Sequence, residues 1–424
     1  MIYNLLVIQA FFLCFAHVAF SAPLSNQFSL STIIDTFVIF PKTRWLRKAH
    51  STDFTIESVT DYGILNFAND TETKSTVYAP ITYCPFGKRA LWFTGDVILS
   101  NNHTVLLGIP INSMDVIRNY FSPAQSGSDD VNTLHDEPMI VDSFYGLQYE
   151  EGDTTDWRMV PQDYETSHET AVARSQCATF SDTKAVQFYE SLSTDGSSES
   201  FMVEYEVSVD ESGATTLNVT RSREVVSKPE DNQLYWGVFA TMRINHVVYM
   251  YALDTNNYQD VYLASVPAQQ VDDKSAWQYW LQSSKSWTTT EPTTADDISA
   301  DAVFSLTGSD RFAMANDDIT QTLAYHTGAS IFYSQYHWSY LFVYVSADDP
   351  STLIIEYGPT PAGPFTSDKK VLYSSADYDM SYASVSPFMF STSETEGKTG
   401  KELLLTAPAA GNTTDAHAIK LTLE

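Results

Sequence analysis

The sequence predicts an all-β protein built as a β-propeller, a ring of antiparallel sheets. The first of three observations is a run of short apolar segments between turns in residues 328–365: SIFYSQY, SYLFVYVS and TLIIEYG. Aromatic and β-branched residues fill these segments, which favours a pleated, half-buried surface. The connections are too short for crossover helices, so neighbouring strands are expected to pair antiparallel.

The second observation is an internal repeat. Residues 237–267 have the same order of parts as residues 328–359. The residues that match at one constant offset are Gly237 with Gly328, His246 with His337, and Tyr249 with Tyr340. A repeated antiparallel unit is typical of a propeller blade. The alternative is chance similarity between two ordinary sheets, because Gly and Tyr are common in turns and strands.

The third observation is that 424 residues contain almost no amphipathic helix pattern. Large β architectures often use such a length as one domain, so residues 22–424 are predicted to form a single propeller domain. Residues 54–68 are predicted to contain a strand, and AVFSLTGSDRFAMAN (302–316) is expected to begin the second repeat copy. The C-terminal segment AIKLTLE is predicted to pair with the N-terminal strand and close the ring.

The first 21 residues are predicted to be a signal peptide, so the protein is expected to be secreted and extracellular. The run Leu5–Phe20 is nearly all apolar, and Ala19 to Ser21 supply small residues for cleavage. An uncleaved membrane anchor is the alternative, but the run is short for a span. Glycosylation sequons fit a secretory route. They lie at Asn69, Asn102, Asn218 and Asn412.

The chain has three cysteines, of which Cys14 leaves with the signal peptide. Cys84 and Cys177 remain, and an even pair in an oxidising compartment favours a disulfide. Two buried free thiols are the alternative.

The net charge of the chain argues against two classes of binding partner. There are 53 acidic and 23 basic residues, giving a formal charge of −30. Nucleic acids and anionic membranes are bound through Lys and Arg, so neither is an expected partner. The expected form is a monomer.

Several motifs carry a resemblance to a known family. Leu91–Asp96 (LWFTGD) resembles the "lW-x-FGD" signature of a secreted five-bladed propeller family, formerly a domain of unknown function, whose bacterial members include endo-D-arabinanases. Residues 247–280 resemble its "vYvy…lARVP…YeYw" segment, and residues 330–345 and 359–365 resemble its "yNpY-x-grYlm-y" and "tP-x-GPW" pieces. The likeness spans residues 75–405. It implies a five-bladed fold, glycoside hydrolase descent and a fungal source, with a polysaccharide or a glycoprotein glycan as the expected partner.

The sequence lacks a carboxylate at a position where active members of that family carry one. Glycoside hydrolysis commonly needs two carboxyl groups flanking the scissile bond. Asp96 is the first candidate, with a capping Asp at a turn as the alternative. The segment Tyr78–Tyr83 contains no carboxylate where active members carry an Asp. Asp61 would replace it only if residues 64–77 are an insertion. Glu356 is a further candidate partner, as are Asp136, Glu137 and Asp182.

Aromatic and histidine side chains are the candidate sugar contacts. These predicted substrate-binding residues are Trp92, Tyr249, His337 and Tyr340. The alternative for each is core packing, and a histidine repeated with the scaffold is typically structural. No zinc, serine-hydrolase or phosphate-loop motif occurs, so the sequence requires no cofactor, and none is identified. The sequence therefore favours a secreted glycoside hydrolase, with a non-catalytic glycan- or protein-binding propeller as the alternative.

Overall fold

In its described residues, the computed structural model contains β-strands and the single-turn 3₁₀ helices Ala268–Gln270, Lys274–Ala276 and Ser299–Asp301. No described helix is long and apolar enough to cross a membrane. All described residues belong to the unit His50–Glu424. The structure describes residues 54–66, 76–77, 82–86, 89–98, 104–111, 139–140, 170–173, 175–180, 183–192, 198–209, 215–228, 231, 233–254, 260–294, 298–305, 329–346, 349, 351–366, 370–380, 383–387 and 400–424.

The described strands form five sheets, numbered here along the chain. The first sheet contains β2 (Thr76–Val77), β3 (Thr82–Phe86), β4 (Arg89–Ile98) and β5 (Thr104–Ile111). The second contains β7 (Thr170–Ala173), β8 (Ala178–Thr179), β9 (Lys184–Leu192), β10 (Ser198–Val209) and β11 (Thr215–Ser227). The third contains β12 (Ala240–Ile244), β13 (Val247–Leu253), β14 (Asp260–Pro267), β15 (Gln278–Leu281), β16 (Ser286–Thr288) and β17 (Phe304–Ser305).

The last two sheets complete the architecture. The fourth contains β18 (Ser330–Ser334), β19 (Ser339–Val345), β20 (Thr352–Gly358) and β21 (Lys370–Ser374). The fifth contains β22 (Ser384–Pro387), β23 (Glu402–Ala409), β24 (Asn412–Leu423), β1 (Ile56–Asn66) and β6 (Met139–Ile140).

The sheets are arranged as a β-propeller. One strand of each sheet contacts its counterpart in the next, so that β3 contacts β8, β8 contacts β12, β12 contacts β18, and β18 contacts β22. We call β3, β8, β12, β18 and β22 the inner strands. The term also covers β2 and β7, which continue β3 and β8 within their sheets. The other strands of each sheet stack outward by antiparallel pairing, except β6, which pairs parallel with β1. Sheets that meet through their inner strands radiate from a common centre, which is the propeller arrangement predicted from the sequence.

The repeat corresponds to the first three strands of the third and fourth sheets. Met242 pairs with Tyr249 across β12 and β13, and Tyr333 pairs with Tyr340 at the matching place in β18 and β19. The expectation for residues 302–316 was wrong at its start. Phe304–Ser305 pairs with β14 and so belongs to the third sheet. Short apolar pieces pair with whichever strand edge lies nearest, which their own sequence does not reveal.

The C-terminal strand pairs with the first described strand and joins the two ends of the described chain. β24 pairs antiparallel with β1, from Ile56 opposite Leu423 to Ile64 opposite His417. The predicted signal peptide lies outside the described residues. Closure joins the two ends of the described chain within one sheet, so neither β1 nor β24 leaves an unpaired edge at this junction.

Alternation along β19 divides the core between two interfaces. Leu341 and Val343 pack in the cluster shared by the fourth and fifth sheets. Phe342 and Tyr344 point the other way, into the cluster shared with the third sheet. Successive strand residues face opposite sides of a sheet, so one apolar strand supplies both interfaces. Each fully buried side chain of this size contributes roughly 1.5–3 kcal/mol.

Candidate functional site

The inner strands carry mostly uncharged side chains at the centre of the propeller. Among the described inner strands, none contains Asp or Glu, and Arg243 on β12 is the charged exception. Their buried polar residues are mainly hydroxyl-bearing, including Thr241, Ser330, Ser384 and Ser386. A site made of these strands would recognise a ligand by neutral hydrogen bonds.

Hydrogen bonds connect residues of different sheets at the centre of the propeller. The Gln176 side-chain amide, beside β8, donates to the carbonyl of Val385 on β22, joining the second sheet to the fifth. The Val385 N–H donates to Ser330 Oγ at 3.0 Å. Thr241 Oγ1 donates to Ser175 Oγ at 3.4 Å. Because buried polar groups require partners, these contacts join the second sheet to the third and the fifth, and the fifth to the fourth.

Arg243 links the second and third sheets at the end of β12. Its Nε donates to the carbonyl of Asn245 at 2.6 Å, and its Nη1 donates to the carbonyl of Thr179. Burial lowers the pKa of the guanidinium, because removing a charge from water disfavours the charged form. This residue was not singled out from the sequence. The available signal was a lone cation in an otherwise uncharged inner strand of the first repeat copy.

Asp96, the first catalytic candidate, lies on β4 at a break in strand pairing. The β4–β5 register shifts between Phe93 and Asp96. On the other edge, β3 pairs with β4 up to Phe93, and β2 pairs with it from Val97. Asp96 therefore lies between the part of β4 that pairs with β3 and the part that pairs with β2. Its side chain is outside the described part of the chain, so its catalytic role stays a prediction.

Glu356 lies away from the inner strands, on β20 in the interface between the third and fourth sheets. Its side chain is 6% exposed and accepts a hydrogen bond of 2.7 Å from the Tyr344 hydroxyl. Burial raises the pKa of the carboxyl group, and the hydrogen bond from Tyr344 partly opposes that rise. Tyr344 and Glu356 therefore form a buried hydrogen-bonded pair that is sensitive to the protonation of the Glu356 carboxyl group. A catalytic role for Glu356 stays a prediction.

Asp61 belongs to a three-residue cluster at the ring closure. It accepts a hydrogen bond of 2.7 Å from the Tyr378 hydroxyl. His417 Nδ1 lies 2.9 Å from its Oδ2 and 3.2 Å from its Oδ1. The rings of Tyr378 and His417 meet edge to face with centroids 5.3 Å apart. Asp61 on β1 and Glu356 on β20 therefore lie in different sheets with different partners. Neither Tyr378 nor His417 was found from the sequence, because each lies more than 300 residues from Asp61.

We expect Asp61→Ala to lower the free energy of unfolding by about 1 kcal/mol, because it removes hydrogen bonds that are partly exposed to solvent. Chemical denaturation at neutral pH measures the change. Asp377→Ala is the matched control, since this exposed neighbouring carboxylate is not among the cluster's hydrogen-bonding groups. Equal losses in the two variants would show that the cluster contributes nothing specific to closure.

The predicted sugar contacts occupy packed positions where their side chains are described. Tyr340 is 5% exposed, with its ring centroid 5.0 Å from that of Tyr333, and Tyr249 packs against the same core cluster. His337 is 6% exposed, and its Nδ1 lies 3.0 Å from Ser334 Oγ. Trp92 lies on β4 opposite Tyr83, with its side chain outside the described part. Sugar contact by these four residues stays a prediction.

Modification and metal sites are partly described. Cys177 is disulfide-bonded, and its pairing with Cys84, whose side chain is outside the described part, stays a prediction. Asn218 is exposed on β11, and Asn412 begins β24, whereas Asn69 and Asn102 lie outside the described residues. Within the described part of the chain, no three His, Cys, Asp or Glu side chains are grouped as a metal site would require.

Comparison with known proteins gives distant structural likeness. No family model and no curated protein matches the sequence. A crystal structure of a hydrolase-like protein from Bacteroides ovatus matches at a TM-score of 0.47 and 12% identity, over 81% of this chain and 85% of its own. The GH43_1 enzyme of Xanthomonas citri matches at 0.39 and 10%, over 83% and 90%. A mutant of the Cellvibrio cellulosa α-L-arabinanase matches at 0.38 and 9%, over 82% and 92%. These values assign no activity to this chain.

Proposed function

We propose that this protein is a secreted, glycan-binding β-propeller that holds an extracellular polysaccharide without cleaving it. In this proposal each of the five sheets is one blade. The observation that carries it is the absence of carboxylates from the described inner strands, whose polar side chains other than Arg243 are mainly hydroxyl-bearing. Hydrolysis by the usual mechanism needs two carboxyl groups about 5–10 Å apart. Binding of a sugar needs only hydrogen-bonding groups and apolar faces.

The positions of the acidic candidates support binding over hydrolysis. Asp61 is held by Tyr378 and His417 at the ring closure. Glu356 is buried between two sheets under Tyr344. Either residue would have to leave its partners before it could act on a substrate at the centre. The motif resemblance to a glycoside hydrolase family indicates a carbohydrate ligand. In this proposal the fold has kept its sugar-binding groups after losing one of the two catalytic carboxylates.

The proposal includes export, cleavage of residues 1–21 and glycosylation. Asn218 is exposed on the edge strand of the second sheet, which suits a glycan acceptor. A monomer suffices, because the described ring closes on itself through β1 and β24. Treatment of the secreted protein with an endoglycosidase is expected to increase its gel mobility, and Asn218→Gln is expected to remove one step of that shift.

The test of binding is a pull-down with insoluble or immobilised arabinan, arabinogalactan, xylan and fungal wall glucans. The mature wild-type protein is expected to be retained on at least one of them and released by the matching soluble polysaccharide. Heat-unfolded protein is the control for non-specific adsorption. Absence of retention on every polysaccharide would contradict the proposal.

A glycoside hydrolase with Asp96 as acid or base is the second candidate. The observation that favours it is the register shift that ends at Asp96 on β4, in the sheet whose inner strands are β2 and β3. The measurement is release of new reducing ends from the same polysaccharides, with Asp96→Asn beside the wild type. We expect no release from either. Release by the wild type that disappears in Asp96→Asn would establish the hydrolase.

A further inference from the structure

The inner chain of the second sheet is interrupted beside β9. The strand β7 ends where Ala173 pairs with Tyr189, and β8 begins where Ala178 pairs with Val186. Between these two pairs β9 has two residues, whereas the inner chain has four. Because the inner chain is longer than the strand beside it, it has to arch away from β9 here, as it does at a β-bulge. We call its described residues, Ser175 to Cys177, the arch.

The side-chain amide of Gln187, on β9, is bound to the arch. Gln187 is fully buried, and its Nε2 donates to the carbonyl of Ser175 at 2.8 Å and to the carbonyl of Phe188 at 3.2 Å. A carbonyl oxygen can only accept a hydrogen bond, so the nitrogen of the amide, and not its oxygen, must face these two groups. The two carbonyls therefore fix the orientation of the amide and leave Oε1 on its other side.

Gln187 Oε1 is a buried acceptor to which no group in the described part of the chain donates. The hydroxyl of Ser175, which is also fully buried, has only long contacts in the described structure, 3.4 Å to Gln187 Nε2 and 3.4 Å to Thr241 Oγ1. Native proteins satisfy nearly all buried polar groups, either with another protein group or with an ordered water molecule. Gln187 Oε1 therefore requires a hydrogen-bond donor from outside the chain.

The chemistry of this position selects water as the donor. The partner has to be small enough to be enclosed, because Gln187 has no exposed surface. A Ca²⁺ ion takes roughly 6–8 oxygen ligands, usually with carboxylates among them. The described hydrogen bonds of Ser175, Gln187 and Thr241 include no carboxylate. A water molecule both donates and accepts, and Ser175 Oγ lies beside the same amide, so one water can bind Oε1 and this hydroxyl together.

We propose that Gln187 Oε1 and the Ser175 hydroxyl bind a single enclosed water molecule near the centre of the propeller. The water supports the arch, which joins the second sheet to other parts of the structure. Within the arch the Gln176 side chain donates to the carbonyl of Val385 in the fifth sheet, and Cys177 is disulfide-bonded. The site belongs to the scaffold of the inner strands, so it does not depend on glycan binding.

The test counts enclosed water molecules by magnetic relaxation dispersion of the solvent ¹⁷O nucleus, which detects water that stays in the protein for longer than the protein takes to tumble. Gln187→Met keeps the length of the side chain but lacks the amide, and it is expected to hold one such water fewer than the wild type. Gln278→Met is the matched control, because Gln278 is exposed on β15, and it is expected to lose none. Thermal unfolding shows whether each variant is folded.

A high-resolution crystal structure of the wild-type protein locates the water directly. We expect density for one water roughly 2.5–3.0 Å from Gln187 Oε1, the usual length of such a hydrogen bond. An equal count of enclosed waters in the wild type and Gln187→Met would overturn the site. An anomalous peak beside Oε1 in a rubidium-soaked crystal would show a bound cation and would overturn it as well. If Gln187→Met does not fold, the wild-type crystal structure decides, because Oε1 without a neighbouring water contradicts the proposal.

Discussion

Gly237→Ala is expected to lower the free energy of unfolding by about 3 kcal/mol, combining backbone strain with overpacking. Gly237 has φ +78°, which glycine adopts freely and alanine does not. A Cβ at this position would lie 2.5 Å from the Phe188 ring. Phe188 is 1% exposed and packs against Trp277, so its ring has no room to retreat. Chemical denaturation measures the loss.

Gly411→Ala separates the two contributions. Gly411 has φ +75°, but among the described residues no atom outside its two chain neighbours lies within 4 Å of the Cβ that alanine would add. We expect this variant to lose only about 1 kcal/mol, the cost of the left-handed backbone conformation alone. The difference between the two variants then measures the contact with Phe188. Similar losses would show that the Phe188 ring moves freely and that the interface between the second and third sheets is loosely packed.

Tyr344→Phe is expected to lower the free energy of unfolding by roughly 1–3 kcal/mol at neutral pH, because it leaves a buried carboxylate without its hydrogen-bond donor. Tyr344 donates to Glu356 at 2.7 Å, and both side chains are buried. The hydrogen bond favours the charged form of Glu356, so its removal raises the pKa of the carboxyl group further. Denaturation at about pH 4.5 and about pH 7 measures both effects.

The direction of the pH dependence follows from the raised pKa of Glu356. The ordinary pKa of this carboxyl group is 4.5, and the folded protein holds the proton more tightly than the unfolded chain. Stability from this group is therefore present at acidic pH and is lost as pH rises from about 4.5 through the higher folded pKa. Glu356→Gln is expected to flatten this slope, and Tyr344→Phe to steepen it. Unchanged slopes in both variants would contradict the buried-pair description.

The fold was predictable because its signals are local. Period-two alternation in residues 339–345 places Leu341 and Phe342 on opposite faces, and the structure uses those faces for two different interfaces. The repeat of Tyr249 and Tyr340 predicted equivalent strands in neighbouring sheets. These features depend on residues a few positions apart, which strand geometry alone converts into structure.

The candidate site was less predictable because its contacts join distant parts of the chain. In the sequence Asp61 is one carboxylate among many, and its partners Tyr378 and His417 are fixed only by ring closure. Glu356 lies in an alternating strand, and nothing nearby in the sequence indicates that Tyr344 covers it. Residue type predicts which chemistry a side chain can perform. The tertiary fold determines which groups a side chain contacts, and therefore whether that side chain is available for chemistry.

The most direct test of glycan binding without cleavage measures both properties in one sample. The mature protein is incubated with each polysaccharide, and the bound fraction and the new reducing ends are determined after the same long incubation. We expect protein retained on one polysaccharide with reducing ends no higher than in the protein-free sample. New reducing ends that rise with time and disappear in Asp96→Asn would contradict this expectation and establish catalysis.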